Sequence, residues 1–165
     1  MKPKNLNQTT QSYKPLLTFK INEKEYALDI LNIQQIIRLE NLKHQSDLSL
    51  NVKGLVNLSG FDVPIIDLRE KLGLKAKKYS AKTMAVILKI PGQKVGLAIE
   101  NSDVKVIQAP EALITLTSKA DVSNYNQLFF GNLRLGERLI SLLNADSLVQ
   151  NHILQEKNKN DNAAA

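Results

Sequence analysis

The sequence predicts a mainly β chain folded as small barrels or a sandwich. Three observations carry this. Short apolar runs recur about every ten residues, Gly, Asn and Pro turn signals separate them, and Leu, Ile and Val supply the core of a 165-residue chain that is 43% hydrophobic but only 5% aromatic, with no Trp. The helical stretches between strands that a βαβ sheet requires are few, and the length suits one compact unit or two small barrels sharing an interface.

Residues 1–14 are polar, rich in Asn, Gln, Thr and Lys, and predict a disordered N-terminal arm before a domain at 15–150. Leu17, Phe19 and Ile21 alternate with Thr18 and Lys20, and Asn22-Glu23-Lys24 turns the chain into Tyr26, Leu28 and Ile30, a hairpin signal. Leu31 to Ile37 is apolar at 33, 36 and 37 with Gln34 and Gln35 between, which suits a short helix better than a strand. Asn41 to Lys53 is a loop or weak strand. Gly54 to Leu74 then combines a hairpin with turn chemistry at Gly60-Phe61-Asp62, a buried strand at Val63 to Ile66, and a short helix capped by Asp67 and ended by Gly73. After a polar connector, Thr83–Ile90 and Lys94–Glu100 form a second hairpin about Pro91-Gly92. Asp103 to Gln108 alternates, and Pro110 begins a long, mainly polar connection to about Asn126. Gln127–Gly131 and Arg138–Leu143 read as closing strands across Gly136, and Ala145 to Leu154 as a final helix whose end, with the tail, occupies 151–165. Gly54, Gly60 and Asp67 are echoed by Gly131, Gly136 and Asn144, a pattern that two similar barrels or chance would both produce.

The chemistry-bearing inventory is thin. The absence of Cys excludes a disulfide framework, a thiolate metal site and a cysteine nucleophile. His44 and His152 stand in no metal-ligand spacing, Asp62 and Asp67 are explained by turn and cap, and Gly131-Asn-Leu-Arg-Leu-Gly136 lacks the lysine and hydroxyl of a phosphate loop. No catalytic residue, metal or cofactor is expected. No N-terminal apolar run forms a signal peptide and no stretch reaches the ~20 apolar residues of a membrane span, so the expectation is a cytoplasmic protein without membrane insertion. A net charge of +6, with Lys71, Lys75, Lys77, Lys78 and Lys82 clustered, fits a solvated basic surface. Small basic barrels also bind nucleic acid, but the aromatics are scattered without an Arg-lined platform, so no nucleic-acid partner is expected.

Leu17-Thr-Phe19, Glu25-Tyr-Ala-Leu-Asp-Ile30, Gly54-Leu-Val-Asn-Leu58, Val63-Pro-Ile-Ile-Asp-Leu-Arg69, Val95-Gly-Leu-Ala-Ile-Glu100 and the closing Gly131 to Leu143, in that order, resemble the CheW family. These adaptors couple bacterial chemoreceptors to the histidine kinase CheA, and the resemblance covers roughly Leu16 to Val149. It implies two five-stranded SH3-like barrels packed through a shared hydrophobic core and no activity of the chain's own. Its implied partners are the regulatory domain of a CheA-type kinase, docked on a barrel end, and the cytoplasmic tip of a methyl-accepting chemoreceptor, held in the groove between barrels. Ile33, Gln35, Ile36, Gly54, Ser59 and Gly60 are the implied groove residues; no particular surface is assigned to the kinase.

In relatives, an arginine in Asn-Leu-Arg-Gly pairs with a glutamate in the first short helix, and this chain has Ser59 and Gln35 at those positions. Losing one partner would leave an uncompensated charge, whereas losing both is coherent and makes the groove neutral. A family-typical proline before Gly54 is missing as well. These departures bear on receptor choice, and leave a PilI-like adaptor of a pilus or surface-motility system, or a repurposed CheW-like scaffold, as the alternatives.

Overall fold

A computed structural model describes residues 10–48, 51–100, 103–118 and 126–150. Strands β1 (Tyr13–Ile21) and β2 (Lys24–Asp29) form the first hairpin, with Asn22 at φ 53° in its two-residue turn. A 3-10 turn at Ile30–Asn32 leads into β3 (Ile33–Arg38). β4 (Val52–Leu58) and β5 (Phe61–Asp67) form the next hairpin, followed by the short helix α1 (Leu68–Lys71). The Asp67 carboxylate accepts the Arg69 N–H at 2.8 Å and Gly73 leaves the helix at φ 73°, the cap and stop expected of these residues. β6 (Thr83–Ile90) and β7 (Gln93–Glu100) make the third hairpin, β8 (Lys105–Pro110) and the short β9 (Ile114–Leu116) follow, and β10 (Phe129–Leu135) pairs with β11 (Arg138–Leu143). A second helix begins at residue 145 and is described to residue 150. The Asn144 side chain caps it by accepting the Ser147 N–H at 3.2 Å.

The strands assemble into two sheets, in the orders β8-β1-β2-β11-β10-β9 and β3-β6-β7-β5-β4. Apart from the extra β9, the two orders correspond strand for strand: each has a hairpin at its centre, an antiparallel strand on one side and a second hairpin joined by a parallel pairing on the other. The echo between Gly54…Asp67 and Gly131…Asn144 is therefore carried by equivalent hairpins, β4–β5 and β10–β11. The second sheet takes β3 to β7, one continuous run from Ile33 to Glu100, which is inserted between β2 and β8 of the first. These are the two SH3-like barrels expected, the second continuous in sequence and the first interrupted by it.

Alternation places two cores on opposite faces of each central hairpin. Leu17, Phe19, Tyr26 and Leu28 from the first hairpin meet Val86, Leu88, Val95 and Leu97 from the third in one shared core, which also takes Leu68, Leu148 and Val149 from the helices. Leu16, Ala27, Leu133, Ile140 and Leu142 fill the first barrel, and Val56, Val63, Ile65, Ala85, Ile87 and Ala98 the second. Burial on both faces explains why Ala85 to Leu88 is a continuous apolar run. Tyr79 of the connector packs on the second core, and its buried hydroxyl makes no hydrogen bond. Burial beside the Asp67 carboxylate holds that phenol well above the ordinary tyrosine range.

Three expectations need correction. Residues 33–37 are a strand, because a β-bulge between Ile33 and Gln35 shifts the period by one and imitates helical spacing. The connection after Pro110 contains β9. Tyr13 and Lys14, assigned to the N-terminal arm, belong to β1. Within the expected loop or weak strand, Lys43 makes a bridge to Leu55, with reciprocal N–H to O contacts of 2.9 Å, closing the second barrel. The rest of the expected arm (1–9), much of the polar connection (119–125) and the tail (151–165) lie outside the described residues.

The barrel closures rest on two equivalent glycines, each beside a bulge. A Cβ on Gly54 would stand 2.6 Å from the Lys43 carbonyl, and one on Gly131 2.5 Å from the Thr115 carbonyl. Backbone cannot yield as a side chain does, so Gly54→Ala is expected to lower stability by roughly 1–3 kcal/mol in urea denaturation. An unchanged midpoint would mean that the 39–43 segment does not lie against β4.

Candidate protein-binding surfaces

The shared core is not sealed. Ile33, Ile36, Ile90 and Val104 pack against it while remaining half-exposed, an apolar rim where the two barrels meet. The bulge in β3 produces this arrangement: it lets Ile33 and Ile36 both face the core while Gln34 and Gln35 both face out. Upstream, the Asp29 carboxylate is held by Lys14 at 2.6 Å and accepts the Leu31 N–H at 2.9 Å. The resulting turn leaves Leu31 71% exposed beside the rim in sequence.

The sequence-chosen residues are distributed unevenly about this rim. Ile33 and Ile36 are on it. Ser59 and Gly60 form the tip of the β4–β5 hairpin, at φ 50° and 88°, and the tip is fastened by Asn57, whose side chain accepts the Gly60 N–H and donates to Asp62. Gln35, exposed on β3, and Ser59, at the hairpin tip, make no hydrogen bond with each other. Gly54 is buried beneath Leu42 and Lys43 and offers a partner no surface, since its function is to let the backbone close. Sequence reasoning missed Gln34, which lines a groove with Phe61 and Val63, and missed Ile90 and Val104 on the rim. Their half-burial follows from register, which periodicity alone does not give.

A different surface lies on the first barrel. Tyr13, Leu113 and Leu116 are 49%, 47% and 71% exposed, and Ile114, Leu116 and Phe130 line a shallow groove of about 270 Å³ with Lys14 and Glu111 at its edge. At the mouth of the same barrel an open cleft of about 730 Å³ is lined almost wholly by charge. There Arg138 grips Glu25 through two nitrogens, and Lys20 meets Asp103 at 3.0 Å. No group of three or more His, Asp or Glu among the described residues could hold a metal, and no helix among them is long and apolar enough to cross a membrane.

A family model for the CheW-like domain matches residues 15–152. The chain belongs to that family. It is 30% identical over 140 residues to the chemotaxis protein CheW of Klebsiella aerogenes, covering 81% of this chain and 80% of that protein. It is 29% identical over 139 residues to the CheW of Helicobacter pylori, covering 80% and 79%. The fold is that of the scaffolding protein TtCheW from Thermoanaerobacter tengcongensis, whose crystal structure superposes with a TM-score of 0.73 at 23% identity over 84% of this chain and 93% of that one. Two SH3-like barrels in a mainly β chain are thus the CheW architecture, as the sequence resemblance implied. The CheW-like family is one of scaffolds without chemistry of their own.

The Lys20–Asp103 pair has a pH signature. Its hydrogen bond and opposite charges raise the lysine above its ordinary pKa, and the same contact, aided by Lys105, holds the aspartate below its own. A depressed carboxylate contributes stability that is present above its unfolded pKa and is lost as pH falls through the folded one. Carboxyl NMR should find Asp103 titrating below a peptide reference, and Lys20→Gln should return it towards that reference. An unshifted Asp103 in the wild type would remove the pair from solution.

Proposed function

We propose that this chain is a chemotaxis adaptor of the CheW type, a non-enzymatic connector that holds the cytoplasmic tip of a methyl-accepting chemoreceptor and the regulatory domain of a CheA-type histidine kinase in one complex. The observation that carries this reading is the open apolar rim on the shared core, in a chain of this family. Helical partners present residues at i, i+3, i+4 and i+7, and a strip of half-buried isoleucine and valine between two barrels is the complement such a helix needs. Ile33 and Ile36 supply contact, Ile90 and Val104 extend it, and Gln35 and Ser59 keep the surroundings neutral.

The kinase domain is assigned to the first barrel, on the surface bearing Tyr13, Leu113, Leu116 and Phe130. Exposed aromatic and aliphatic side chains beside a single Lys and Glu have the composition of an interface core with a charged rim. With this division one molecule contacts both partners at once. The chain then acts in the cytoplasm, recruited to the membrane only through its receptor.

The test is a pull-down from the native cytoplasm with the wild type and an Ile33→Asp, Ser59→Arg double variant, read by mass spectrometry. A CheA-type kinase retained by both and receptors retained only by the wild type is the expected result. Absence of kinase and receptor from both would overturn the reading. Receptor retention should change little between low and high salt, because Gln35 and Ser59 carry no charge; a steep salt dependence would place the contact elsewhere.

A further inference from the structure

The two barrels carry equivalent mouths of opposite electrostatic character. Registers fix the equivalence: Ala27 lies beside Leu142 across the parallel junction of the first barrel, and Gly96 beside Ile65 across that of the second. Counting back two residues on the hairpin strand gives Glu25 and Lys94; counting back four on the partner gives Arg138 and Phe61. Directly across each central hairpin, Lys20 faces Glu25 in the first barrel and Lys89 faces Lys94 in the second. The first mouth is therefore closed by ion pairs. In the second, two lysines oppose one another, and the position of the arginine is taken by a phenylalanine.

Like charges directly opposite on antiparallel strands destabilise the pair. No ion pair relieves this one: neither Lys89 nor Lys94 forms one among the described residues. Asp62, the acid among the residues lining the mouth, accepts a hydrogen bond from Asn57. The Lys94 ammonium instead lies 5.2 Å from the centre of the Phe61 ring. Phe61 is 65% exposed. By strand alternation Lys89, Lys94 and Phe61 all project on the inner side, as do Ile87, Gly96 and Val63 one step deeper, so they converge on an open groove of about 480 Å³.

We propose that this mouth is a docking site for an acidic protein segment that places a carboxylate between Lys89 and Lys94 and an apolar side chain on Phe61. A small inorganic anion would answer the lysines and leave the ring in water; a carboxylate with an adjacent apolar group answers both. The site adjoins the inter-barrel rim at Ile90 but is centred on Phe61, Lys89 and Lys94, and the inference does not depend on the adaptor reading.

The test titrates the full chain, observed by amide NMR, with a capped pentapeptide of four glutamates around one phenylalanine, its glutamine counterpart, and inorganic phosphate at matched ionic strength. Saturable shifts at residues 61–63 and 89–94 with the glutamate peptide, at least about tenfold weaker with the glutamine peptide, are expected. Lys89→Glu restores an opposite-charge pair like that of the first barrel while keeping Lys94 over Phe61. It should raise the melting temperature and abolish peptide binding, and Lys89→Gln should weaken binding with the fold kept. Equal response to both peptides, shifts confined to residues 75–82, or saturation by phosphate alone would overturn the proposal, as would a lowered melting temperature in Lys89→Glu.

Discussion

The second barrel, β3 to β7, is inserted between β2 and β8 of the first, and the two are joined through the core that they share. The first barrel can therefore close only after the second has been made. The central hairpins gain a second buried face, and the largest apolar cluster lies between the barrels rather than within either. Each fully buried Leu, Ile or Phe there contributes about 1.5–3 kcal/mol, against about 0–1 kcal/mol for an exposed ion pair, so the shared core outweighs the surface charges in holding the assembly together. The open edge of that core is also the rim proposed to take the receptor, which ties the proposed adaptor surface to the feature that stabilises the fold.

The hairpins were legible because their signals are local. Asn22, Pro91-Gly92 and Gly136 mark turns, Asp67 and Gly73 bound a helix, and alternation or continuous apolarity marks the strands. β3 was not legible, since its bulge converts a two-residue period into the three-residue spacing of Ile33 and Ile36. β9 is three residues long and only half-buried at best, too short to leave a pattern. The insertion of β3 to β7 between β2 and β8 could not be read at all, because an alternating strand records which face is buried and not which strand lies beside it.

The candidate surfaces divide in the same way. Ile33 and Ile36 could be chosen from the sequence; Gly54 was chosen with them, yet serves closure. The contrast between the two barrel mouths emerges only when Lys20 and Lys89, or Arg138 and Phe61, are matched through sheet register. The matched positions show two kinds of constraint on similar barrels. Gly54 and Gly131 are held alike by a carbonyl that any Cβ would strike, while the mouths, free of such steric control, differ in charge and polarity.

The insertion of one barrel within the other also imposes an order on synthesis. Glu25 and its partner Arg138 are separated by 113 positions. At about 5–20 residues per second, translation takes on the order of ten seconds to supply the second after the first. Until β6, β7 and β8 have been made within that interval, the first hairpin, rich in Leu, Phe and Ile, has neither the core that covers it nor a strand beside it. The part of the molecule that ends most deeply enclosed is the part that waits longest unprotected on the ribosome, where sequestration by a chaperone has most to prevent.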